Sequence, residues 1–196
     1  MKLYGSLTSP YVRLCRVAAD ALGADLPLVP TDPFAPEIRA VNPLGKVPAL
    51  KAEDGTLIAD TGAILRHLDE VHGPRLFACE GLPRHQADAG LTLALGVLDL
   101  GVASLLETRR PEAERSVSWQ ARRRAGIDAA LPIMAVRADS LGGEAPGVVA
   151  LSFACALDWL SFRLPEVAWR DHARLAALAD AQLAAPRFAA TDPRAV

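Results

Sequence analysis

A small α/β unit followed by an all-helical one is the fold class this sequence predicts, and three observations carry it. The first third of the 196 residues alternates short strand and helix patterns. Beyond Gly73-Pro74 the strand patterns stop, and a proline-free run from Arg84 to Arg110 repeats apolar residues at helical spacing. Half of the chain (51%) is apolar, enough for a sizeable core and too much for disorder. The length suits one domain or two small ones.

The elements follow in order. Lys2 to Gly5 reads as a short strand, and Ser6 to Ser9 as a turn. Ser9-Pro10 has the form of a helix start, with serine as N-cap and proline at the first helical position. That helix runs to about Leu22, turns Leu14, Val17, Ala18, Ala21 and Leu22 inward, and ends at Gly23. Leu26 to Val29 gives a second strand, and Glu37 to Val41 a short helix after the proline-rich Pro30 to Pro36. Val47 to Lys51 and Thr56 to Ala59 form a hairpin around Asp54-Gly55. Asp60 to Val71 returns to helical spacing through Ile64, Leu65 and Leu68.

In the second part, Leu91, Leu95, Leu98, Val102 and Leu105 set one helical face of the Arg84–Arg110 run. Leu93, Val97, Leu100 and Ser104 set a neighbouring one. A helix apolar over so much of its circumference is buried on more than one side. With Gly90, Gly96 and Gly101 allowing close approach, it is expected to form, together with the next helix, the core of a two-fold homodimer. That next helix spans roughly Val117 to Ser140 and should kink at Pro132. Val148 to Arg163 is a strongly apolar helix, and Asp171 to Leu183 another. The division is therefore residues 1–77 and 84–196, with a linker near Phe77 to Pro83.

Composition excludes several function classes. Twenty-one basic and 23 acidic residues leave a net charge of -2, which gives no electrostatic reason to expect nucleic acid or an anionic membrane. Cys15, Cys79 and Cys155 are odd in number and widely spaced, so neither a disulfide framework nor a structural zinc site is expected. His67, His72, His85 and His172 share no metal-like spacing, and no metal is expected. The N-terminus lacks the apolar core of a signal peptide, and the longest uncharged stretch, from Ala145 to Leu157, is too short to span a bilayer. A soluble protein of the reducing cytoplasm, away from membranes, is the expectation.

Three segments carry groups that chemistry can use. Ser9 caps a helix, and the same hydroxyl, with the helix dipole behind it, is placed to hydrogen-bond an anion such as a thiolate. In Asn42-Pro43-Leu44-Gly45-Lys46-Val47-Pro48-Ala49-Leu50, a valine–proline step enters a strand, where proline cannot donate to a ladder. It reads either as an edge-strand proline or as a cis proline that leaves the preceding backbone free to pair with a peptide-like ligand. Asp60-Thr61-Gly62-Ala63 opens a helix with an acid and a hydroxyl, which taken alone is a helix cap.

Together, in this order and spacing, these segments resemble the glutathione S-transferase family. The likeness extends to the rest of the Asp60–Val71 helix, to the helical second part, and to the segments Cys155 to Arg163 and Ala185 to Phe188. It implies a thioredoxin-like domain over residues 1–77 that binds glutathione, and an all-helical domain over 84–196 with a hydrophobic substrate pocket. It implies that Ser9 faces the glutathione sulfur, and that Val47, before a cis Pro48, pairs its backbone with the cysteinyl part. Lys46 is implied near the glycine carboxylate. Asp60 and Thr61 match the acid–serine pair that receives the γ-glutamyl end, and Asp99 is implied to reach a partner subunit's glutathione. The serine-to-threonine change at Thr61 keeps the hydroxyl. The family's capping box on the central helix is replaced by Gly147 and Ala150, which removes its reciprocal side-chain bonds.

The energetics suit Ser9. Lowering a thiol pKa of about 8.5 by two units takes roughly 2.7 kcal/mol. One hydrogen bond to a charged group supplies about 1.5–3 kcal/mol, and a helix N-terminus about 0.3–1 kcal/mol more. Tyr4 is the rival hydroxyl, as in tyrosine-type relatives, although it belongs to the strand before the turn. Tyr11 is expected to flank the pocket, Cys15 to sit in the core, and Arg122-Arg123-Arg124 to form a solvated face. The resulting expectation is a homodimeric glutathione transferase that activates the thiol for attack on a small hydrophobic electrophile, without metal. A non-catalytic module of the same fold, and a glutathione-dependent isomerase or peroxidase, are the alternatives.

Overall fold

The computed structural model describes residues 1–78, 81–141 and 146–195; Cys79 and part of the expected linker lie outside them. Its first part holds β1 (Lys2–Gly5), α1 (Pro10–Leu22), β2 (Leu28–Pro30), α2 (Ile38–Val41), β3 (Ala49–Lys51), β4 (Leu57–Ile58) and α3 (Thr61–His72). The sheet order is β2-β1-β3-β4, with β1 parallel to β2 and the β1–β3 and β3–β4 pairs antiparallel. Leu3 faces Leu28 on one side and Leu50 on the other, so the central strand is apolar and buried on its inner face. α1 and α3 pack against each other and cover that face through Leu14, Val17, Ile64, Leu65 and Leu68. This is a small mixed sheet under two helices, the thioredoxin-like arrangement.

Helix boundaries follow the local chemistry. Ser9 accepts from the Val12 N–H as N-cap of α1, and Gly23 takes the left-handed conformation (φ 69°) that ends it. Strand edges moved more. β2 starts two residues later than its pattern suggests, and β3 begins at Ala49, after a cis Val47-Pro48 step, since Pro48 has no N–H to donate.

The second part is helical: α4 (Arg84–Thr108), α5 (Val117–Asp139), α6 (Val148–Arg163), α7 (Ala173–Leu183) and the single turn α8 (Pro186–Ala189), with short 3-10 turns between. α6 is buried along Val148–Leu160 and packs against α1, α4 and α7, so it is the axis of the molecule. The α6 N-cap is Gly147, which offers no side-chain bond, but the Val148 N–H donates to the Leu76 carbonyl at 2.8 Å. α5 runs as a helix on both sides of Pro132, from Val117 to Asp139.

α4 keeps its leucine pattern in part: Leu91, Leu98 and Val97 are buried, and Leu95, Val102 and Leu105 only partly. By length and composition it would suffice to cross a membrane, yet the stripe it buries is Ala87, Gly90, Leu91, Ala94, Val97, Leu98 and Gly101, set against the protein's own helices. A Cβ on Gly90 would lie 2.7 Å from Val149, and one on Gly101 2.7 Å from Trp159. These two glycines therefore let α6 approach within the chain, where close approach to a second copy was expected of them. Gly96 alone of the three faces open space.

Candidate functional site

A cleft of about 860 Å3 opens between the two parts. The loop after β1 and the first turn of α1 form one wall, from Ser6 to Tyr11, continued by Leu44–Pro48 and Ala59–Thr61. α4 from Asp99 to Arg109 faces them, with Trp159 and Arg163 of α6 and the loop Asp32–Phe34 at the edges. Every site residue singled out from the sequence lines this one cleft: Ser9, the Lys46-Val47-Pro48 run, the Asp60-Thr61 pair, and Asp99. Tyr4, the rival hydroxyl, lies in β1 between β2 and β3 and is not among the lining residues.

Each group is held by its own local structure. Ser9 Oγ accepts the Val12 N–H at 3.4 Å, while the Ser9 N–H donates to the Ser6 carbonyl at 3.1 Å. A hydroxyl has one proton and two lone pairs, so capping uses an acceptor site and leaves the proton for a guest in the cleft. The loop that bears Lys46 and Val47 is built by Asn42, which is fully buried. Its Nδ2 donates to the Lys46 carbonyl at 2.8 Å and its Oδ1 accepts from the Leu44 N–H at 3.0 Å. Gly45 turns within this loop at φ +64°, a conformation that favours glycine. Val47 itself makes no hydrogen bond within the described residues. Asp60 caps α3 through its Oδ1, accepting from the Ala63 N–H at 2.8 Å, and Thr61 is buried behind it.

The sequence did not disclose one contact between residues that line the cleft. The Tyr11 hydroxyl donates to Asp99 Oδ1 at 2.5 Å. Burial, and then the Asp99 carboxylate, push the Tyr11 phenol well above its usual range, so Tyr11 stays protonated. Asp99 thus points into its own chain's cleft and is engaged there by Tyr11. Phe34 and Arg109 belong to segments whose local pattern is ordinary, and Trp159 and Arg163 to a segment marked only by its family likeness; the tertiary fold brings all four to the cleft.

The remaining titratable candidates lie elsewhere. Cys15 and Cys155 are fully buried, and burial pushes both thiols up, Cys155 to about 12, so neither is a nucleophile. Among the described residues no group of His, Cys, Asp and Glu is placed to hold a metal ion.

Residues 3–76 match the family described as "Glutathione S-transferase, N-terminal domain". Over the whole fold, the chain resembles a glutathione S-transferase from Methylobacterium radiotolerans solved with glutathione sulfonate: TM-score 0.88, 30% identity, 97% of this chain and 93% of that one covered. A glutathione transferase family member from Pseudomonas fluorescens Pf-5, solved with bound glutathione, gives a TM-score of 0.87 at 30% identity, covering 97% of both chains. Among curated sequences, an uncharacterized GST-like protein of Escherichia coli, YibF, is 28% identical over 98% of both.

Proposed function

This chain belongs to the glutathione S-transferase family, and from that premise we propose that it binds glutathione in the cleft and transfers it to a small hydrophobic electrophile. The observation that carries the reading is the convergence of Ser9, the Val47-Pro48 step and the Asp60–Thr61 pair on one cavity. The tripeptide lies with its cysteinyl backbone along Val47, whose N–H and carbonyl are free for it, and its γ-glutamyl end at Asp60 and Thr61. Lys46 is near the glycine carboxylate. Ser9 donates its hydroxyl proton to the sulfur, which favours the thiolate over the thiol. The thiolate forms a bond to the electrophilic carbon; in a substitution the leaving group departs with its bonding pair, and the thiol proton goes to solvent. The apolar wall of Val102, Leu106 and Trp159 receives the electrophile.

The protein works, on this reading, as a cytoplasmic homodimer. Open space over Gly96 and the exposed Ile133 and Val136 of α5 support a second copy there, which light scattering at micromolar concentration tests. For the function itself, calorimetric titration with glutathione comes first, followed by conjugation of a chloronitroarene. Binding with turnover is the expected result. Binding without turnover, but with isomerase or peroxidase activity, would move the reading to those reactions; no binding at all would leave a non-catalytic module.

A further inference from the structure

Two arginines, Arg109 and Arg163, line the cleft; Asp32, the acid on the same rim, accepts the Phe34 N–H at 2.9 Å. Arg109 follows the last turn of α4 and lies over the Phe34 ring at 5.7 Å; Arg163 ends α6 and lies over the Phe162 ring at 3.9 Å. Neither forms an ion pair within the described residues, whereas Arg110, the next residue along, pairs with Glu114 at 3.2 Å. Burial and then the Arg109 charge lower the Arg163 pKa, which places the two like charges near each other on the cleft wall they both line.

The arrangement along α4 has a direction. Asp99, Val102, Ala103, Leu106 and Arg109 face the cleft at three- and four-residue spacing. Asp99 meets Tyr11 beside Ser9, and Arg109 lies ten residues on, about 15 Å along the helix at its usual rise. The Arg109 guanidinium itself lies over Phe34, which also lines the cleft. From the Ser9 end along α4, the cleft thus presents Asp99 held by Tyr11, an apolar wall, and then Arg109, with Arg163 of α6 also lining it.

We propose that the electrophile this cleft accepts has an apolar body ending in a carboxylate, held between Arg109 and Arg163. Two planar guanidinium groups match a carboxylate's two oxygens, and an anion between them removes their mutual repulsion. This rests on glutathione occupying the Ser9 end, and it names the substrate class of that same site.

The test uses two stable conjugates long enough to span the apolar wall and differing only in the terminal group, S-(4′-carboxybiphenyl-4-ylmethyl)glutathione and its 4′-carbamoyl counterpart, titrated by calorimetry. The wild-type chain is expected to bind the carboxylate about tenfold more tightly, with the preference shrinking as salt is added. The Arg109→Gln/Arg163→Gln double variant should lose the preference while binding glutathione as before, which also shows that it is folded. Arg110→Gln, the same loss of charge outside the cleft, should keep it. Equal wild-type affinities for the two conjugates, with glutathione itself bound, overturn this proposal alone. So does a preference that survives the double variant, or a double variant that weakens glutathione and leaves the preference intact. A wild-type chain that does not bind glutathione overturns the glutathione reading and this proposal with it.

Discussion

Ser9 carries two tasks on one oxygen, and they are separable by experiment. Its lone pair caps α1 at Val12, so Ser9→Ala should cost around 1 kcal/mol of stability, read as a shift in the urea midpoint. Its proton serves the bound thiol, so the same variant should slow conjugation at neutral pH by roughly ten- to a hundredfold. The sign follows from the thiolate: without the donor the thiol pKa rises, so the loss shrinks toward pH 9 and the pH–rate profile moves to the alkaline side. A profile that stays in place would reduce Ser9 to a cap. Tyr11 gives a second check. Because burial and Asp99 hold its phenol above the usual range, an alkaline titration followed by phenolate absorbance should lose nothing near pH 10 when Tyr11 becomes Phe. Ser9 was legible in the sequence because serine, proline and the start of a helix are adjacent. The Tyr11–Asp99 bond was not, since 88 residues separate its ends and neither has an unusual neighbourhood.

Elements were legible where a local rule sets them and less so where packing does. The Asp54-Gly55 turn, the Gly23 stop and the extent of α6 each follow from a few adjacent residues. The buried face of α4 does not, because leucines mark apolarity while Gly90 and Gly101, which have no side chain to count, sit where a Cβ would run into α6. Gly90→Ala and Gly101→Ala are accordingly expected to cost about 1–3 kcal/mol each, as overpacked core positions do, measured by urea unfolding. Gly101→Ala should be the less forgiving, because its Cβ would meet the stiff Trp159 ring at 2.7 Å. Gly96→Ala meets nothing within the chain and should raise helix stability by up to about 1 kcal/mol in a monomer. In the proposed dimer it should instead weaken association, so a concentration series of the same variant reports on the interface.

The two parts of the molecule are joined by a buried ion network that no sequence pattern announced, because it links α1 to residues 145 and more positions away. Arg13, 4% exposed, donates to Asp158 on α6, to the Phe188 carbonyl at 3.1 Å and to Thr191 Oγ1 at 3.3 Å. Arg194 closes the far side with 3.0 and 3.1 Å bonds to the Asp158 carboxylate. Burial alone would raise the Asp158 pKa, but the hydrogen bonds from Arg194 and Arg13 outweigh it and hold the carboxyl below the ordinary carboxylate range. A carboxyl lowered in the folded state contributes stability that is complete above its unfolded pKa of about 4 and disappears as pH falls through the folded value. Asp158→Asn leaves Arg13 charged and buried without its counter-ion, which should cost about 3–5 kcal/mol at pH 7. The difference between wild type and variant should hold from pH 7 to about pH 4 and then narrow on further acidification, as the wild-type carboxylate takes up its proton. Urea unfolding across that range measures it; a gap that stayed constant into strong acid would mean the network stabilises by shape alone, with the Asp158 charge contributing nothing.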